Sequence, residues 1–346
     1  MKREPANIKQ VAEKAGVSMM TVSRVINDSG KVAQETREKV LKAIKECHYY
    51  PNSIARGLAS NKTNIIGIVI YDSGRLRHNM FYEMINGIER IASEFGYNIM
   101  LFSYREGEDY SERIVESGLI DGVILMGITI NYEDIRYLEK IGFPYVVIGK
   151  RNIDDLNPYT VVLDYEEAFQ RATQFLIDSG ERKIGFAGVA RGFDPDLDKL
   201  TGYQEAFNHS GLFCDPENII YFDGIGNKKG YGDIARLYER GVRTFVLTDC
   251  GRMRETLEFA SIHKLCIPGD LKICIFNDEK MDISDILRLA SLTDRGGGYM
   301  VPQIEMNRFN VGQEAGKLLL ARIENKKDMC RTVKVSLDFI YEAPAE

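Results

Sequence analysis

The sequence predicts a small all-α headpiece followed by an α/β body of two doubly wound parallel-sheet lobes. Three observations predict it. Residues 8–47 hold three short blocks of helical apolar periodicity separated by turn residues. From residue 64 onward, apolar strand-like runs alternate with amphipathic helical stretches. The charge divides at the same boundary: the 346-residue chain totals −6, but residues 1–63 carry +6 and the remainder −12. A basic head on an acidic body predicts one segment with an anionic partner and a separate soluble module.

The headpiece elements follow in order. Asn7 caps a first helix and Gln10, three residues on, completes a capping-box pair. Ile8, Val11, Ala12 and Ala15 share one face, and Gly16 stops the helix. Ser18 caps a second helix, in which Val22, Val25 and Ile26 point inward and Met19, Met20, Ser23 and Arg24 project elsewhere. After the loop at Asn27-Asp28-Ser29-Gly30, a third helix runs from about Gln34 to Cys47 with Val40, Leu41, Ile44 and Cys47 as its stripe. Two helices joined by a tight glycine-containing turn and backed by a third describe a helix-turn-helix. In that geometry the second helix lies in the major groove with its N-terminal residues at base edges. Ser18 then offers backbone N–H groups to a phosphate, Arg24 can donate twice to guanine, and Met19 and Met20 suit thymine methyl groups. A three-helix bundle with a solvated basic face is the bland competitor; agreement of spacing, caps and charge weighs against it.

Residues 7–58 resemble the headpiece of the LacI/GalR family of bacterial transcription regulators. The resemblance is carried by Ile8-Lys9-Gln10-Val11-Ala12, Ala15-Gly16-Val17-Ser18, Thr21 to Asn27, Val32-Ala33-Gln34-Glu35-Thr36-Arg37, Tyr50-Pro51-Asn52 and Ala55 to Ala59. It implies DNA contacts from Ser18, Met19, Met20, Thr21, Arg24 and Asn27. Pro51 breaks the third helix and Asn52 can cap a new one, which is too short to be stable alone. A segment of this kind orders on a partner. The resemblance makes it a hinge helix that pairs with a second copy in the minor groove. Asn52, Ala55 and Arg56 would line that groove and Leu58 would wedge between base steps. The predicted organisation is a headpiece over 1–50, a hinge over 51–63 and a core over 64–346.

In the core, Ile65 to Ile70 is a continuous apolar run of the kind buried parallel strands require. Further strands are predicted at 98–102, 122–126, 145–148, 184–187, 244–247 and 272–276. Helices are predicted at 81–95, 110–117, 132–141, 166–178, 202–209 and 252–262. The family resemblance continues at Phe81 to Glu89, Asp121 to Leu125, Phe143 to Val147, Gly202-Tyr203 and Val311 to Ala315, the last two matching helix starts. It implies a periplasmic-binding-protein-like core with three crossings between lobes. The N-lobe would comprise about 64–163 and 296–323, and the C-lobe about 164–295 and 324–346. Ligands in such sheets sit beyond the carboxyl ends of the strands.

Departures from the family pattern concentrate at the expected effector site. Lys199 stands where many sugar-binding members have Arg, Thr248-Asp249 where Asn-Asp often ends a strand, and Phe276-Asn277 where Asp often follows the aromatic residue. Arg-to-Lys loses bidentate geometry and Asp-to-Asn loses an anionic acceptor. These changes point away from a plain hexose or pentose held through the family's common contacts. Asp72, Asn79, Phe81, Lys199, Thr248 and Asn277 remain the candidate effector residues. The expected protein is a homodimeric, operator-binding repressor controlled by a small molecule, a sugar or sugar derivative, with a charged or phosphorylated metabolite or a protein partner as the alternative. A nucleotide-dependent enzyme with a DNA-binding head is the remote competitor.

Other signals are weak. Gly224-Ile225-Gly226 with Gly230 misplaces the third glycine of a dinucleotide loop and lacks the lysine of a phosphate loop. Asp194-Pro195-Asp196-Leu197-Asp198 mimics a calcium loop, but Lys199 occupies the glycine position, so it reads as an acidic loop at the pocket rim. Arg295 to Gly298 reads as an inter-lobe connection. The six cysteines lack C-x-x-C spacing and the four histidines are scattered, so neither a metal nor a cofactor is expected. No apolar run suits a signal peptide or a membrane span, and the expected location is the cytoplasm.

Overall fold

The computed structural model describes residues 7–26, 30–49, 62–71, 79–104, 110–127, 130–154, 156–190, 194–222, 231–289, 292, 300–326 and 330–341. The headpiece consists of α1 (Ile8–Ala15), α2 (Met19–Ile26) and α3 (Gln34–Cys47). Its ends are set by the predicted chemistry. Asn7 Oδ1 accepts from the Gln10 amide at 3.0 Å while Gln10 Oε1 accepts from the Asn7 amide at 2.9 Å. Gly16 closes α1 at φ 66°, a conformation that glycine adopts without strain. Val11, Ala12, Val22, Val25, Val40 and Ala43 form a separate small core.

The body contains two six-stranded sheets. The first holds β1 (Ile65–Tyr71), β2 (Asn98–Ser103), β3 (Gly122–Gly127), β4 (Tyr145–Ile148), β5 (Thr160–Leu163) and β11 (Thr332–Val335), ordered β11-β5-β4-β3-β1-β2 and wholly parallel. The second holds β6 (Ile184–Ala190), β7 (Ile219–Phe222), β8 (Thr244–Leu247), β9 (Lys272–Phe276), β10 (Gln303–Glu305) and β12 (Asp338–Ile340), ordered β12-β10-β9-β8-β6-β7. Only β12, which pairs with β10, runs antiparallel among them. The central strands are buried on both faces, as their unbroken apolar runs predicted.

The chain crosses between lobes three times, from Leu163 to Tyr165, from Glu305 to Arg308 and from Val335 to Asp338. These crossings redraw the predicted lobe boundaries. Residues 303–305, expected in the N-lobe, belong to the C-lobe sheet, and residues 332–335, expected in the C-lobe, close the N-lobe sheet. Strands of three or four residues carry too little pattern to reveal which sheet they join.

The N-lobe helices are α4 (Asn79–Glu94), α5 (Tyr110–Glu116), α6 (Tyr132–Ile141) and α12 (Arg308–Ile323). The C-lobe helices are α7 (Tyr165–Asp178), α8 (Asp194–His209), α9 (Tyr231–Glu239), α10 (Cys250–His263) and α11 (Ile283–Leu289). Helix α4 packs against α12 at backbone distance: a Cβ on Gly312 would fall 2.0 Å from the Met84 carbonyl oxygen, and one on Gly87 2.1 Å from that of Phe309. Helix α8 corrects two expectations. It begins at Asp194, so the acidic stretch read as a rim loop is its first turn, and Pro195 is the residue type that tolerates that position. Gly202 therefore lies mid-helix instead of starting one. A Cβ there would fall 2.1 Å from the Glu166 carbonyl oxygen, which explains the glycine by close packing on α7. Helix α12 likewise starts three residues before Val311.

Candidate nucleic-acid interface and effector cleft

In the headpiece, Ser18 sits directly before α2, and its Oγ accepts from the Thr21 amide at 3.1 Å and lies 2.9 Å from Thr21 Oγ1. That arrangement fixes the helix start, where unpaired amides suit a phosphate. Met19 and Met20 are 52% and 65% exposed, although both are large and apolar. Arg24 is exposed one turn later, while Val22 and Val25 bury the opposite face. One short helix thus presents two thioethers and a guanidinium to the outside. Asn27, Asn52, Ala55, Arg56 and Leu58 lie outside the described residues.

The second candidate region lies at the carboxyl ends of the C-lobe strands. The structure brings Lys199, Thr248 and Asn277 together there, and it directs their polar atoms to protein partners. Lys199 is 5% exposed, and its Nζ donates to Asp196 Oδ1 at 3.0 Å and to the Thr248 carbonyl at 3.1 Å. Three rings surround the same ammonium, with centroids at 4.9 Å (Phe276), 5.1 Å (Tyr165) and 6.0 Å (Phe169). Burial opposes the charge, but the Asp196 carboxylate, together with Tyr165 and Asp249, outweighs it and holds the Lys199 pKa above its usual value. Asp196 is anchored in turn, because its Oδ2 accepts from the Ala190 amide at 3.0 Å.

Thr248 is fully buried, and its hydroxyl donates toward the carbonyls of Ala187 at 3.1 Å and Gly188 at 3.0 Å. Gly188 is a bulge residue at φ 137° whose missing Cβ makes room for that hydroxyl. Asn277 Nδ2 donates to the Met281 carbonyl at 2.9 Å and to Gln303 Oε1 at 3.0 Å, while its Oδ1 accepts from the Met281 amide at 2.9 Å. Two neighbouring carboxylates, Asp249 and Asp278, are instead half-exposed. Asp249 caps α10, and Asp278 Oδ1 accepts from the Cys250 amide at 2.8 Å. Burial, reinforced by the charge of Asp249, raises the Asp278 pKa. Sequence reasoning quoted Asp249 beside Thr248 without making it a candidate and passed over Asp278, although each directly follows a residue that it singled out.

Phe81 is 6% exposed and belongs to the core instead of standing free to stack on a ring. Asn79 opens α4, and Asp72 lies outside the described residues. Among the described residues, two ion pairs join the lobes across the cleft, Lys150–Asp198 at 2.7 Å and Lys280–Glu83 at 2.6 Å. Arg308, at the start of α12, also donates to the Asp278 carbonyl.

Comparison with known proteins decides what these regions belong to. The family model for bacterial regulatory proteins of the lacI family matches residues 7–52, and that for periplasmic binding proteins and the sugar-binding domain of the LacI family matches residues 63–220. The HTH-type transcriptional regulator RegA of Clostridium saccharobutylicum is 36% identical over 335 residues, covering 93% of this chain and 94% of RegA. The chain belongs to the LacI family. Two solved structures share the fold over 97% of the chain and 98% of their own. They are a Lac repressor dimer bound to operator and an anti-inducer (17% identity, TM-score 0.74) and a transcriptional regulator CelR–cellobiose complex (23%, 0.64). As a LacI-family member, the chain is a DNA-binding transcription regulator with an effector-binding core. No described helix is long and apolar enough to cross a membrane, and no group of three or more metal-ligating side chains occurs among the described residues.

The buried pair under the cleft has a measurable consequence. Asp196→Ala leaves the Lys199 ammonium buried without its carboxylate, and it is expected to cost about 3–5 kcal/mol in chemical denaturation. The double variant Asp196→Ala with Lys199→Met removes both charges and is expected to recover much of that loss. Equal stability of wild type and Asp196→Ala contradicts the pairing.

Proposed function

We propose that this regulator is a repressor that reads one operator half-site per headpiece through α2 and responds to a hydroxyl-rich, sugar-class effector held between the lobes. The observation that carries the DNA reading is the exposed face of α2: Met19, Met20 and Arg24 are turned outward from a helix whose other face buries Val22 and Val25. Exposed thioethers on a short capped helix cost solubility unless a partner covers them. Thymine methyl groups and a guanine edge supply matching chemistry. A second copy is proposed to cover the last strands of the two sheets. Leu101 on β2 and Tyr221 on β7 are 54% and 39% exposed, with Tyr82 and Phe213 at 66% and 82%.

The effector reading rests on which polar groups at the strand ends remain partly exposed. Because the Lys199 charge is balanced by Asp196, it does not select an anion. Because Thr248 and Asn277 are held by the backbone, they position loops. The half-exposed carboxylates Asp249 and Asp278 stand at the strand ends as acceptors for hydroxyl donors. The carboxylate missing at Asn277 is thereby supplied one residue later. The ligand seen in the CelR complex, cellobiose, is of this class. Binding is proposed to alter the lobe angle by competing with the cross-cleft pairs, which couples the cleft to the operator.

Two experiments test the reading. Arg24→Ala is expected to weaken binding to a DNA sequence selected from a random pool by about 1–3 kcal/mol and to relax the preference at one base pair. Unchanged affinity and preference contradict the placement of α2. A thermal-shift panel of neutral mono- and disaccharides, sugar phosphates and nucleobases is expected to give its shift with a neutral sugar. A shift confined to sugar phosphates contradicts the role of the two carboxylates.

A further inference from the structure

The cleft lies at the carboxyl ends of the strands, yet the chain enters the core from the hinge at their opposite ends. There one carboxylate takes three hydrogen bonds from the entering chain. Asp121 Oδ1 accepts from the Thr63 amide at 2.7 Å and from Thr63 Oγ1 at 2.8 Å, and its Oδ2 accepts from the Asn64 amide at 2.8 Å. The Asp121 amide itself donates to the Ile65 carbonyl at 2.8 Å. Thr63 Oγ1 also accepts from the Ile65 amide at 3.2 Å, which folds the turn onto itself. Asn64 is bent into the left-handed region at φ 53°, and its carbonyl accepts from the Asn98 amide at 2.9 Å. The Lys62 ammonium lies 5.3 Å from the centre of the Tyr97 ring, and the Asp121 and Glu324 charges favour it.

These contacts fix the direction of the chain as well as its position. Asn64 precedes β1 and Asp121 precedes β3, and these two strands are parallel neighbours in register at Ile66 and Gly122. A side chain at the head of one central strand therefore holds the chain entering the next. Carboxylates accepting two or more N–H bonds make strong, geometrically specific contacts. Seven residues of strand at roughly 3.3 Å each place the cleft about 23 Å from this point on a rigid sheet. Rotation of the N-lobe carries the exit point with it.

We propose that Asp121 is a positioning residue for operator binding. It clamps the chain where the hinge leaves the core, so that the lobe angle set at the cleft dictates where and in which direction each headpiece is presented. The proposal rests on the DNA-binding function of the family, and its test separates the two.

A clamp and a plain tether predict different magnitudes. Freeing residues 62–64 lengthens a tether of roughly a dozen residues by three, which lowers the local concentration of a headpiece only about 1.4-fold. A lost orientation acts on the specific complex alone. The full-length dimer is titrated against its selected operator and a scrambled duplex at one salt concentration, for wild type, Asp121→Ala, Asp121→Asn and Thr63→Val. Asp121→Ala is expected to lower the specific-to-scrambled affinity ratio at least 10-fold with scrambled binding unchanged. Asp121→Asn, which retains one carbonyl acceptor for Thr63, is expected to recover part of the loss, and Thr63→Val to lose about threefold. A ratio within twofold of wild type for Asp121→Ala overturns the clamp. Should that variant not fold, a ratio for Thr63→Val equal to wild type overturns it. Absence of any preference in wild type would indict the operator reading instead.

Discussion

Strand polarity is the constraint on which the rest of this molecule depends. Each sheet is parallel through its centre, so all its carboxyl ends share one edge and all its amino ends the other. Three crossings join the two sheets near their carboxyl ends and bring those edges face to face. A cleft results there without any dedicated loop architecture, and the amino ends are left for the incoming chain. The ligand-sensing and DNA-presenting ends of the N-lobe are thus separated by the length of a strand. They are also mechanically joined by it, because a buried parallel sheet moves as one body.

The C-lobe side of the cleft is built by burying charge instead of avoiding it. Asp196 and Lys199, one helical turn apart on α8, meet under three aromatic rings and against the Thr248 carbonyl. Such a pair gains little net stability over a hydrophobic equivalent, yet removing one partner is costly. Its effect is to fix α8 to the ends of β6 and β8. Thr248 in the Gly188 bulge and Asn277 across the 277–281 turn act in the same way on neighbouring strand ends. These side chains form a rigid floor, and the half-exposed acids Asp249 and Asp278 stand at its edge.

Much of this was legible in the sequence because it depends on local pattern. The α1 and α2 caps at Asn7 and Ser18, the stop at Gly16, and strands such as Tyr145–Ile148 and Thr244–Leu247 follow from spacing and residue type alone. What escaped depends on partners distant in the chain. The three-residue β10 has no periodicity to read and is defined by β9 and β12. Gly202 looked like a helix start, but its role is to let Glu166 approach. The Lys199 pairing could have been anticipated from Asp196 at i−3, had the acidic stretch been read as helix. The commitment of Thr248 to a bulge carbonyl could not, because nothing in its local sequence announces the bulge.

The central claim is that the basic headpiece confers sequence-specific DNA binding on an acidic, ligand-sensing body. Its most direct test is an anisotropy titration of the full-length chain against a selected operator and a scrambled duplex over a series of salt concentrations. The account predicts that the operator binds at least about 10³-fold more tightly at physiological salt. It also predicts that log affinity falls linearly with log salt, with a slope of about −0.9 per phosphate neutralised. Equal affinity for the two duplexes would contradict it.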